Sequence, residues 1–280
     1  MSTVLKCGLI GGNISRTRLP FALDIMCKAN GLTLDFTPID TEHDDAFDFS
    51  GTVDMLRQDG WTGVSVTHPH KTEAAGYAGR RMDRAVDHLG ASNLLLFKPE
   101  LSGWNTDYLG FIAAWQAVFR NRGPGEVAVA GAGGVARAIV PALIRLGARK
   151  VTVWDLNFDA AKELARMCGR PVTAIPIEEA PEAIASATGL VNATALGMGG
   201  HPGTAFDPTL VGPQWWAFDA VYTPTDTAFL TDAAAKGLKI LTGFDLFRFM
   251  AIETFRVYTG LTPDRATILP QLDTLRPKDS

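Results

Sequence analysis

The run GAGGVARA at residues 131–138 constrains the fold of this chain more than any other segment does. It lies between an apolar, strand-like stretch at residues 127–130 and a helix-like stretch at residues 136–147. A tight glycine turn between a buried strand and a helix exposes backbone N–H groups at the positive end of the helix, where a pyrophosphate can bind. The run therefore predicts a Rossmann-type, doubly wound domain that binds a dinucleotide, although alone it could be an ordinary strand-to-helix turn.

Asp155 indicates which dinucleotide binds. It ends the next strand-like stretch, about twenty residues after the glycines, where an acidic side chain can hold a ribose 2′-hydroxyl and would repel a 2′-phosphate. No Arg or Lys lies between Asp155 and Lys162, so the pattern favours NAD over NADP. The alternative is that Asp155 only caps a helix predicted at residues 158–168. The residues expected to contact NAD here are Gly131, Ala132, Gly133, Gly134, Val135 and Asp155.

Composition excludes several classes of function. The 280 residues, 46% hydrophobic and 20% charged, suit a globular chain of one large domain or two ordinary ones. A net charge of −4 argues against a nucleic-acid partner, and no apolar run is long enough to predict a membrane span. Cys7, Cys27 and Cys168 lack metal-ligand spacing, and His68 and His70 look incidental to their loop, so we expect a cytoplasmic protein without a metal.

The chain alternates between strand-like and helix-like segments in two blocks. The first block, residues 6–104, predicts an α/β unit, and the second begins at the glycine run and continues to about residue 241. An apolar-rich helix predicted at residues 244–258 outlasts the alternation, so we expect the chain to return to the first unit. An interdomain cleft would then hold the substrate. The predicted domains are a discontinuous α/β substrate domain, residues 1–108 plus 243–280, and a Rossmann-type dinucleotide-binding domain, residues 109–242.

Short polar segments beside the predicted strands carry the candidate chemistry. They are SRT at residues 15–17, VSVTHPHK at 64–71, ASN at 91–93 and GWNTD at 103–107. In these segments the chain resembles the shikimate/quinate dehydrogenase family. The N-x-T-x-P-x-K motif of that family is matched at residues 65–71 except at its first position, and its G-x-N-T-D motif is matched at residues 103–107.

The resemblance extends over nearly the whole chain. Further matches are VNAT at residues 191–194, GM at 197–198, DAVY at 219–222 with Pro224, and FRVYTG at 255–260. The segment HPGTAFD at residues 201–207, with residues 15–17 and Asp155, is most similar to the NAD-preferring quinate/shikimate branch. The resemblance also implies that Asn192, Thr194 and Gly243 belong to the cofactor site.

In that family a lysine and an aspartate form the catalytic pair, which implies these roles for Lys71 and Asp107. The implied reaction is the reversible, NAD-dependent oxidation of a secondary alcohol on a cyclic polyhydroxy carboxylic acid. Loss of a hydride from a carbinol carbon requires a group that receives the hydroxyl proton, and a partly desolvated lysine can do so. Without the resemblance, Lys71 could equally be a solvent-facing helix residue, and Asp107 could cap a helix that begins at residue 108.

The resemblance also implies the residues that bind the substrate. Ser15, Thr17 and Thr67 fall where the family's hydroxyl residues bind the substrate carboxylate, and short neutral donors hold an anion without a strong ion pair. Ser15 and Thr17 could instead cap a helix that begins near residue 19. The other substrate residues implied are Asn93 and Asn105, near the ring hydroxyls and the catalytic pair, and Tyr222 from the nucleotide domain. Asn105 could also serve only as a turn former.

Three departures from the family pattern affect the substrate. Ser65 stands where the family has asparagine, Leu94 where threonine is common, and Met250 where a glutamine bonds a ring hydroxyl. A methionine cannot replace amide hydrogen bonds, and a buried hydroxyl without a partner costs about 1–3 kcal/mol. We therefore expect Met250 to face a less polar or differently substituted ring, unless a shift in helix register makes it an ordinary core methionine.

Two other functions stay open at this point. One is a paralogue that acts on an amino or deoxy analogue of quinate or shikimate. The other is a non-catalytic, NAD-dependent ligand sensor, although the complete Lys71 and Asp107 pair argues against it. We expect the chain to bind a small cyclic hydroxy acid and to bind neither nucleic acid nor a membrane. The sequence leaves open whether it forms a homodimer.

Overall fold

The computed structural model describes residues 3–277, and the chain divides into two compact units. The first comprises Met1–Gly110 and Met250–Leu275, and the second comprises Phe111–Phe249 and Arg276–Ser280. The sequence placed the boundaries at 108/109 and 242/243, and residues 1, 2 and 278–280 of the predicted ranges lie outside the described residues. Both boundaries in the structure fall inside helices, so no loop in the sequence marks them.

The first unit is built on a five-stranded mixed sheet with the order β2-β1-β3-β4-β5. Its strands are β1 (Val4–Gly11), β2 (Thr33–Asp40), β3 (Gly63–Val66), β4 (Leu94–Leu96) and β5 (Ser102–Trp104). Strand β1 pairs in parallel with β2 and β3, whereas β4 runs antiparallel to β3 and β5. The carboxyl ends of β1 and β3 therefore lie side by side, so the segments that follow them begin at one edge of the sheet.

Helices cover this sheet. They are α1 (Leu19–Ala29), α2 (Phe49–Gln58), α3 (Lys71–Ala78), the start of α4 (Thr106–Phe119), the end of α9 (Gly243–Thr259) and α10 (Arg265–Asp273), with 3-10 turns at Gly79–Arg81 and Asp87–Leu89. Helix α2 begins where the Asp48 carboxylate accepts a hydrogen bond from Gly51 N at 2.9 Å. Its buried side chains Phe49 and Val53 pack against Val64 of β3, which joins this helix to the core.

The second unit contains a six-stranded, fully parallel sheet with the order β11-β10-β9-β6-β7-β8. Its strands are β6 (Glu126–Ala130), β7 (Lys150–Trp154), β8 (Val172–Ala174), β9 (Gly189–Asn192), β10 (Trp216–Asp219) and β11 (Lys239–Leu241). Strand order reverses on the two sides of β6. Open parallel sheets bind ligands at such a switch point, beyond the carboxyl ends of the strands.

The helices of the second unit include α5, which directly follows the glycine run. They are the end of α4, α5 (Ala136–Arg145), α6 (Phe158–Cys168), α7 (Ala180–Ser186), α8 (Ala228–Ala235) and the start of α9, with 3-10 turns at Ile177–Glu179 and Pro208–Leu210. Inside the sheet, a Cβ on Gly189 would lie 2.0 Å from the indole of Trp216. The glycine thus makes room for a buried tryptophan on the neighbouring strand.

None of the helices within residues 3–277 has the length and apolar character needed to cross a membrane. The same range contains no group of His, Cys, Asp and Glu side chains arranged to hold a metal ion.

Candidate active site

Lys71 and Asp107 form a close ion pair in the first unit. Lys71 is the first residue of α3, and Asp107 lies in the first turn of α4. Lys71 Nζ donates to Asp107 Oδ2 at 2.7 Å, and the two side chains are only 18% and 14% exposed. The strands that precede these helices, β3 and β5, flank β4 in the sheet, which brings together residues far apart in the chain. The fold thus creates a partly desolvated pair that can exchange a proton with a hydroxyl group.

His70 fixes the start of α3, a role that the sequence did not suggest. Its ring is buried against Phe47 and Phe49, at centroid distances of 5.1 and 5.5 Å. His70 Nε2 lies 2.9 Å from Thr41 Oγ1, and Nδ1 bonds the Glu73 carboxylate. The residue before Lys71 is therefore held by two aromatic rings and at both ring nitrogens.

The predicted carboxylate-binding residues lie in the loops after β1 and β3. A Cβ on Gly11, the last residue of β1, would lie 2.3 Å from Thr67 Cγ2, so the two loops touch. Ser15 is exposed, whereas Thr17 and Thr67 are half-buried. Thr17 Oγ1 also accepts from Leu19 N at 3.3 Å, the helix-start contact that the sequence left as an alternative. The structure thus brings the loop that carries Ser15 and Thr17 against Thr67.

Asp40 anchors the loop that carries Ser15. Its carboxylate accepts hydrogen bonds from the backbone N–H groups of Glu42 at 3.0 Å, Ile14 at 3.1 Å and Asn13 at 3.0 Å. These donors, with Glu42 as the largest cause, lower the pKa of Asp40. Sequence reasoning missed Asp40 because two of its three partners, Asn13 and Ile14, come from a different strand-to-helix loop.

The predicted ring-binding residues share one buried hydrogen-bonded chain. Asn93 Oδ1 accepts from Thr106 N at 2.7 Å and from Thr106 Oγ1 at 3.1 Å. Thr106 Oγ1 lies 2.9 Å from Thr254 Oγ1, which in turn donates to Met250 Sδ at 3.5 Å. A Cβ on Gly110 would lie 2.6 Å from the backbone of Met250, so α9 packs directly on the first turns of α4. Met250 and Asn93 therefore both approach the turn that carries Asp107.

Asn105 has the local role that the sequence offered as its alternative. Its Oδ1 accepts from Tyr108 N at 3.0 Å, and its Nδ2 donates to Ala91 O at 3.0 Å. The amide thus caps the start of α4 and holds it to the segment before Asn93. Asn105 supports the position of Asp107 through the backbone.

Ser65, the first departure from the family motif, also has a buried partner. Its hydroxyl lies 2.9 Å from Tyr258 Oη, and burial raises the pKa of Tyr258 well above its usual value. The pair joins β3 to α9 within the first unit. Ser65 therefore contributes a contact between elements.

The glycine loop in the second unit fits a bound pyrophosphate. Gly131 has φ +98°, and a Cβ there would lie 2.7 Å from Ala193 O, so this turn requires glycine. A Cβ on Gly133 or Gly134 would meet no atom within 4 Å. The two glycines thus leave open space beside the start of α5, where Val135 is the last residue before the helix. A pyrophosphate needs such close access to the backbone.

Asp155 is tied to this glycine loop. Its Oδ2 accepts from Ala132 N at 2.7 Å, and its Oδ1 accepts from Asn157 N at 2.8 Å. Asn157, and not Asp155, caps α6, since its side chain accepts from Asp159 N and Ala160 N. A carboxylate has about four lone-pair positions, so Asp155 retains capacity for ribose hydroxyl groups.

The remaining predicted residues of the second unit lie after β9, after β10 and at the start of α9. Thr194 is half-buried, while Asn192 is fully buried and bonds to Asp219. The ring of Tyr222 stacks on Phe247 at 5.7 Å. A Cβ on Gly243 would lie 2.5 Å from Ala220 O, so only a glycine permits this approach to the turn before Tyr222.

Comparisons with known proteins cover almost the entire chain. Residues 9–95 match a family model described as the shikimate dehydrogenase substrate binding domain, and residues 116–197 match one described as shikimate / quinate 5-dehydrogenase. A quinate/shikimate dehydrogenase (NAD(+)) of Corynebacterium efficiens is 36% identical over 94% of this chain and 96% of its own length. A shikimate dehydrogenase (NADP(+)) of Acidiphilium cryptum is 35% identical over 91% of each chain.

Among solved structures, quinate dehydrogenase from Corynebacterium glutamicum in complex with NAD superposes with a TM-score of 0.90. It is 31% identical, and the match covers 98% of both chains. The predicted α/β class, with a discontinuous substrate domain and a Rossmann-type domain, is confirmed.

Proposed function

Because the chain belongs to the shikimate/quinate dehydrogenase family, we propose that it is an enzyme that reversibly oxidises a ring hydroxyl of quinate or shikimate with NAD. The observation that carries this proposal is the partly buried ion pair between Lys71 and Asp107. A dehydrogenase needs such a proton-exchanging pair, whereas a ligand sensor does not. The pair therefore favours catalysis over sensing.

The preference for NAD rests on Asp155 and on the two Corynebacterium relatives that use or bind NAD. Asp155 directly follows β7 beside the glycine loop, where its carboxylate favours a ribose with a free 2′-hydroxyl over one with a 2′-phosphate. Gly133, Gly134 and Val135 would hold the pyrophosphate by backbone N–H groups, while Gly131 and Ala132, whose N–H groups bond to Trp154 O and to Asp155, would shape the loop. Thr194 and Gly243 would line the rest of the cofactor site. When bound, NAD accepts the hydride from the carbinol carbon.

Lys71 moves the proton of the reaction. For the oxidation, the Lys71 ammonium first releases a proton to water, and the resulting amine accepts the proton of the substrate hydroxyl as the carbonyl forms; in the reduction the ammonium returns that proton to the oxygen. Asp107 accepts a hydrogen bond from Nζ at 2.7 Å, which keeps the lysine in place beside that hydroxyl. Because both side chains are largely withdrawn from water, their charges interact more strongly with the substrate than exposed charges would.

The substrate is held by neutral donors and amides. Ser15, Thr17 and Thr67 bind its carboxylate from the touching loops after β1 and β3. Asn93 binds a ring hydroxyl, Asn105 positions Asp107 by capping α4, and Tyr222 contributes its hydroxyl.

A substrate and cofactor screen tests the proposal. The purified chain is mixed with quinate or shikimate and with NAD or NADP, and the reduced cofactor is followed by its near-ultraviolet absorbance. We expect turnover with at least one acid and a higher kcat/KM with NAD than with NADP. Absence of turnover with both acids, in protein that binds NAD, would refute the proposed substrate.

One observation favours a second candidate, a paralogue for a deoxy or amino analogue. Met250 is connected to Thr106, and so to Asn93, through the hydroxyl of Thr254. It has no amide that could bond to a ring hydroxyl. The same screen, extended to analogues that lack a ring hydroxyl or carry an amine in its place, decides between the two substrates.

We also propose that the protein works in the cytoplasm. Cys7, Cys27 and Cys168 are free thiols, as expected in a reducing compartment. Burial raises the pKa of Cys27 and of Cys168 to about 11, which keeps both thiols protonated and unreactive. A homodimer stays a prediction, which sedimentation of the purified protein would test.

A further inference from the structure

Asp219, the last residue of β10, is a fully buried carboxylate with three hydrogen-bond donors. Oδ1 accepts from Asn192 Nδ2 and from Val221 N, both at 2.9 Å, and Oδ2 accepts from Thr227 Oγ1 at 2.7 Å. All three donors are neutral.

One arm of this network shapes the loop after β9. Asn192 Nδ2 also donates to Leu196 O at 3.0 Å, while Asn192 Oδ1 accepts from Thr194 N at 3.0 Å and Thr194 Oγ1 at 2.7 Å. Both polar atoms of the buried amide are therefore committed to protein partners. Asn192 acts on the cofactor site by holding Thr194, and Asp219 holds Asn192 in the required orientation.

The other arm shapes the turn after β10 and the start of α8. The bond from Val221 N to Asp219 fixes the turn immediately before Tyr222. Thr227 Oγ1 donates to Asp219 and accepts from Leu230 N at 3.3 Å, which caps α8. A single carboxylate thus joins the segment that carries Thr194, the segment that carries Tyr222 and a helix start.

We propose that Asp219 is a positioning residue whose ionised carboxylate orders the Thr194 loop and the Tyr222 turn for cofactor binding. The inference rests on the proposed function for the identity of the cofactor, but not for the ordering of the loop. Burial of a carboxylate whose hydrogen-bond partners are all neutral destabilises the folded chain. Neutral side chains could connect the same segments with a smaller loss of stability. The three donors converge on one side chain that must accept several hydrogen bonds, and the Asp219 carboxylate can do so.

Ionisation of Asp219 gives the proposal a pH signature. Burial raises the pKa of Asp219 to about 6, against the opposing effect of the bonds from Thr227, Val221 and Asn192. Burial and these three hydrogen bonds are the effects that set the pKa of Asp219. Protonation of the Asp219 carboxylate removes the acceptor of one of the three hydrogen bonds. The Thr194 loop and the Tyr222 turn therefore become less ordered below pH about 6.

The test measures the NAD dissociation constant by calorimetry above and below pH about 6 for the wild type, Asp219→Asn and a control. Asp232→Asn, which removes a partly exposed carboxylate that pairs with Lys236 on α8, is the matched control. We expect Asp219→Asn to weaken NAD binding about tenfold above this pH, the equivalent of one charge-assisted hydrogen bond, and to abolish its acid dependence. Unchanged affinity and an unchanged acid dependence in folded Asp219→Asn would overturn the proposal.

Amide hydrogen exchange gives a readout that needs neither turnover nor bound NAD. In the free protein, Asp219→Asn should accelerate exchange at Thr194, Leu196 and Val221, whose N–H groups lie in the two ordered segments. Acceleration there, in a protein inactive on both acids, would refute the proposed substrate and support the positioning role. Exchange equal to that of the wild type at all three amides would contradict the positioning role, whatever the substrate.

Thr227 provides a second variant in case Asp219→Asn does not fold. Thr227→Val removes one bond to the ionised carboxylate, so the acid loss of NAD affinity should move to higher pH. Thr227→Ser keeps the hydroxyl and should restore the wild-type profile. An identical acid profile in all three proteins would rule out control by Asp219.

Discussion

Lys71 is the residue for which the expected loss of activity is largest. The side chains of Lys71 and Asp107 are only 18% and 14% exposed, yet each remains accessible to a substrate. Lys71→Ala should lower kcat by about 10²–10⁴-fold, because proton transfer to a positioned group supplies that much. NAD affinity should stay within about twofold, since the Lys71 ammonium bonds to Asp107 and the glycine loop is held by other residues. Steady-state kinetics and calorimetry measure both quantities.

Lys28→Ala is the control for this prediction. Lys28 is an exposed lysine of α1 that pairs with Asp24 on the same helix, so its loss should leave kcat unchanged. Near-normal turnover by Lys71→Ala would mean that another group accepts the proton.

Met250 is the residue expected to decide substrate preference. Met250→Gln restores an amide beside the Thr254 and Thr106 hydroxyls, so it should raise kcat/KM for acids with the full set of ring hydroxyls relative to deoxy analogues. One added hydrogen bond to a buried hydroxyl corresponds to about tenfold. Kinetics on a panel of quinate, shikimate and their deoxy and amino analogues measure the change.

Met55→Gln is the matched control, because Met55 is 54% exposed on α2. It should leave the ranking of substrates unaltered. If Met250→Gln also leaves the ranking of substrates unaltered, Met250 is an ordinary packing residue, and other side chains determine which ring the enzyme accepts.

At the scale of elements, the turn from β6 to α5 contains one glycine that the fold requires and another that cofactor binding requires. Gly131→Ala should cost about 1–3 kcal/mol of unfolding free energy, because φ is +98° and the new Cβ would press on Ala193 O. Gly134→Ala should fold normally, since its Cβ enters open space, yet bind NAD more weakly because that space admits the pyrophosphate. Urea unfolding and NAD titration of both variants test this division. Equal NAD affinity in Gly134→Ala and the wild type would place the pyrophosphate elsewhere.

Elements also differ in how much of their structure is encoded locally. The β6, glycine turn and α5 succession was predictable because strand, turn and helix signals are contiguous in the chain. The network of His70 with Thr41 and Glu73 was not, because Thr41 reaches the ring only after β1 and β3 have paired. The antiparallel addition of β4 and β5 to a parallel sheet likewise depends on long-range pairing. The unit boundaries lie inside α4 and α9, where the helical pattern continues across them.

At the scale of the whole molecule, two kinds of carboxylate give stability opposite dependences on pH. Local hydrogen bonds lower the pKa of Asp40, Asp207 and Asp264, so the stability that these groups contribute is present above their ordinary value of 3.8 and is lost as pH falls through the lowered values. Burial raises the pKa of Asp219 from 3.8 to about 6. Its contribution is therefore complete below pH 3.8 and is lost as pH rises through about 6.

The free energy of unfolding should consequently fall across the range from pH 3.8 to about 6 by more in the wild type than in Asp219→Asn. A shift of about two pKa units corresponds to about 3 kcal/mol, which is the expected difference between the two profiles. Urea unfolding at a series of pH values measures it, with Asp232→Asn as the control for a partly exposed carboxylate. Parallel profiles would mean that Asp219 ionises as readily in the folded chain as in the unfolded one. Divergent profiles, together with weaker NAD binding by Asp219→Asn, would show that the molecule gives up stability at neutral pH to keep its cofactor loops ordered.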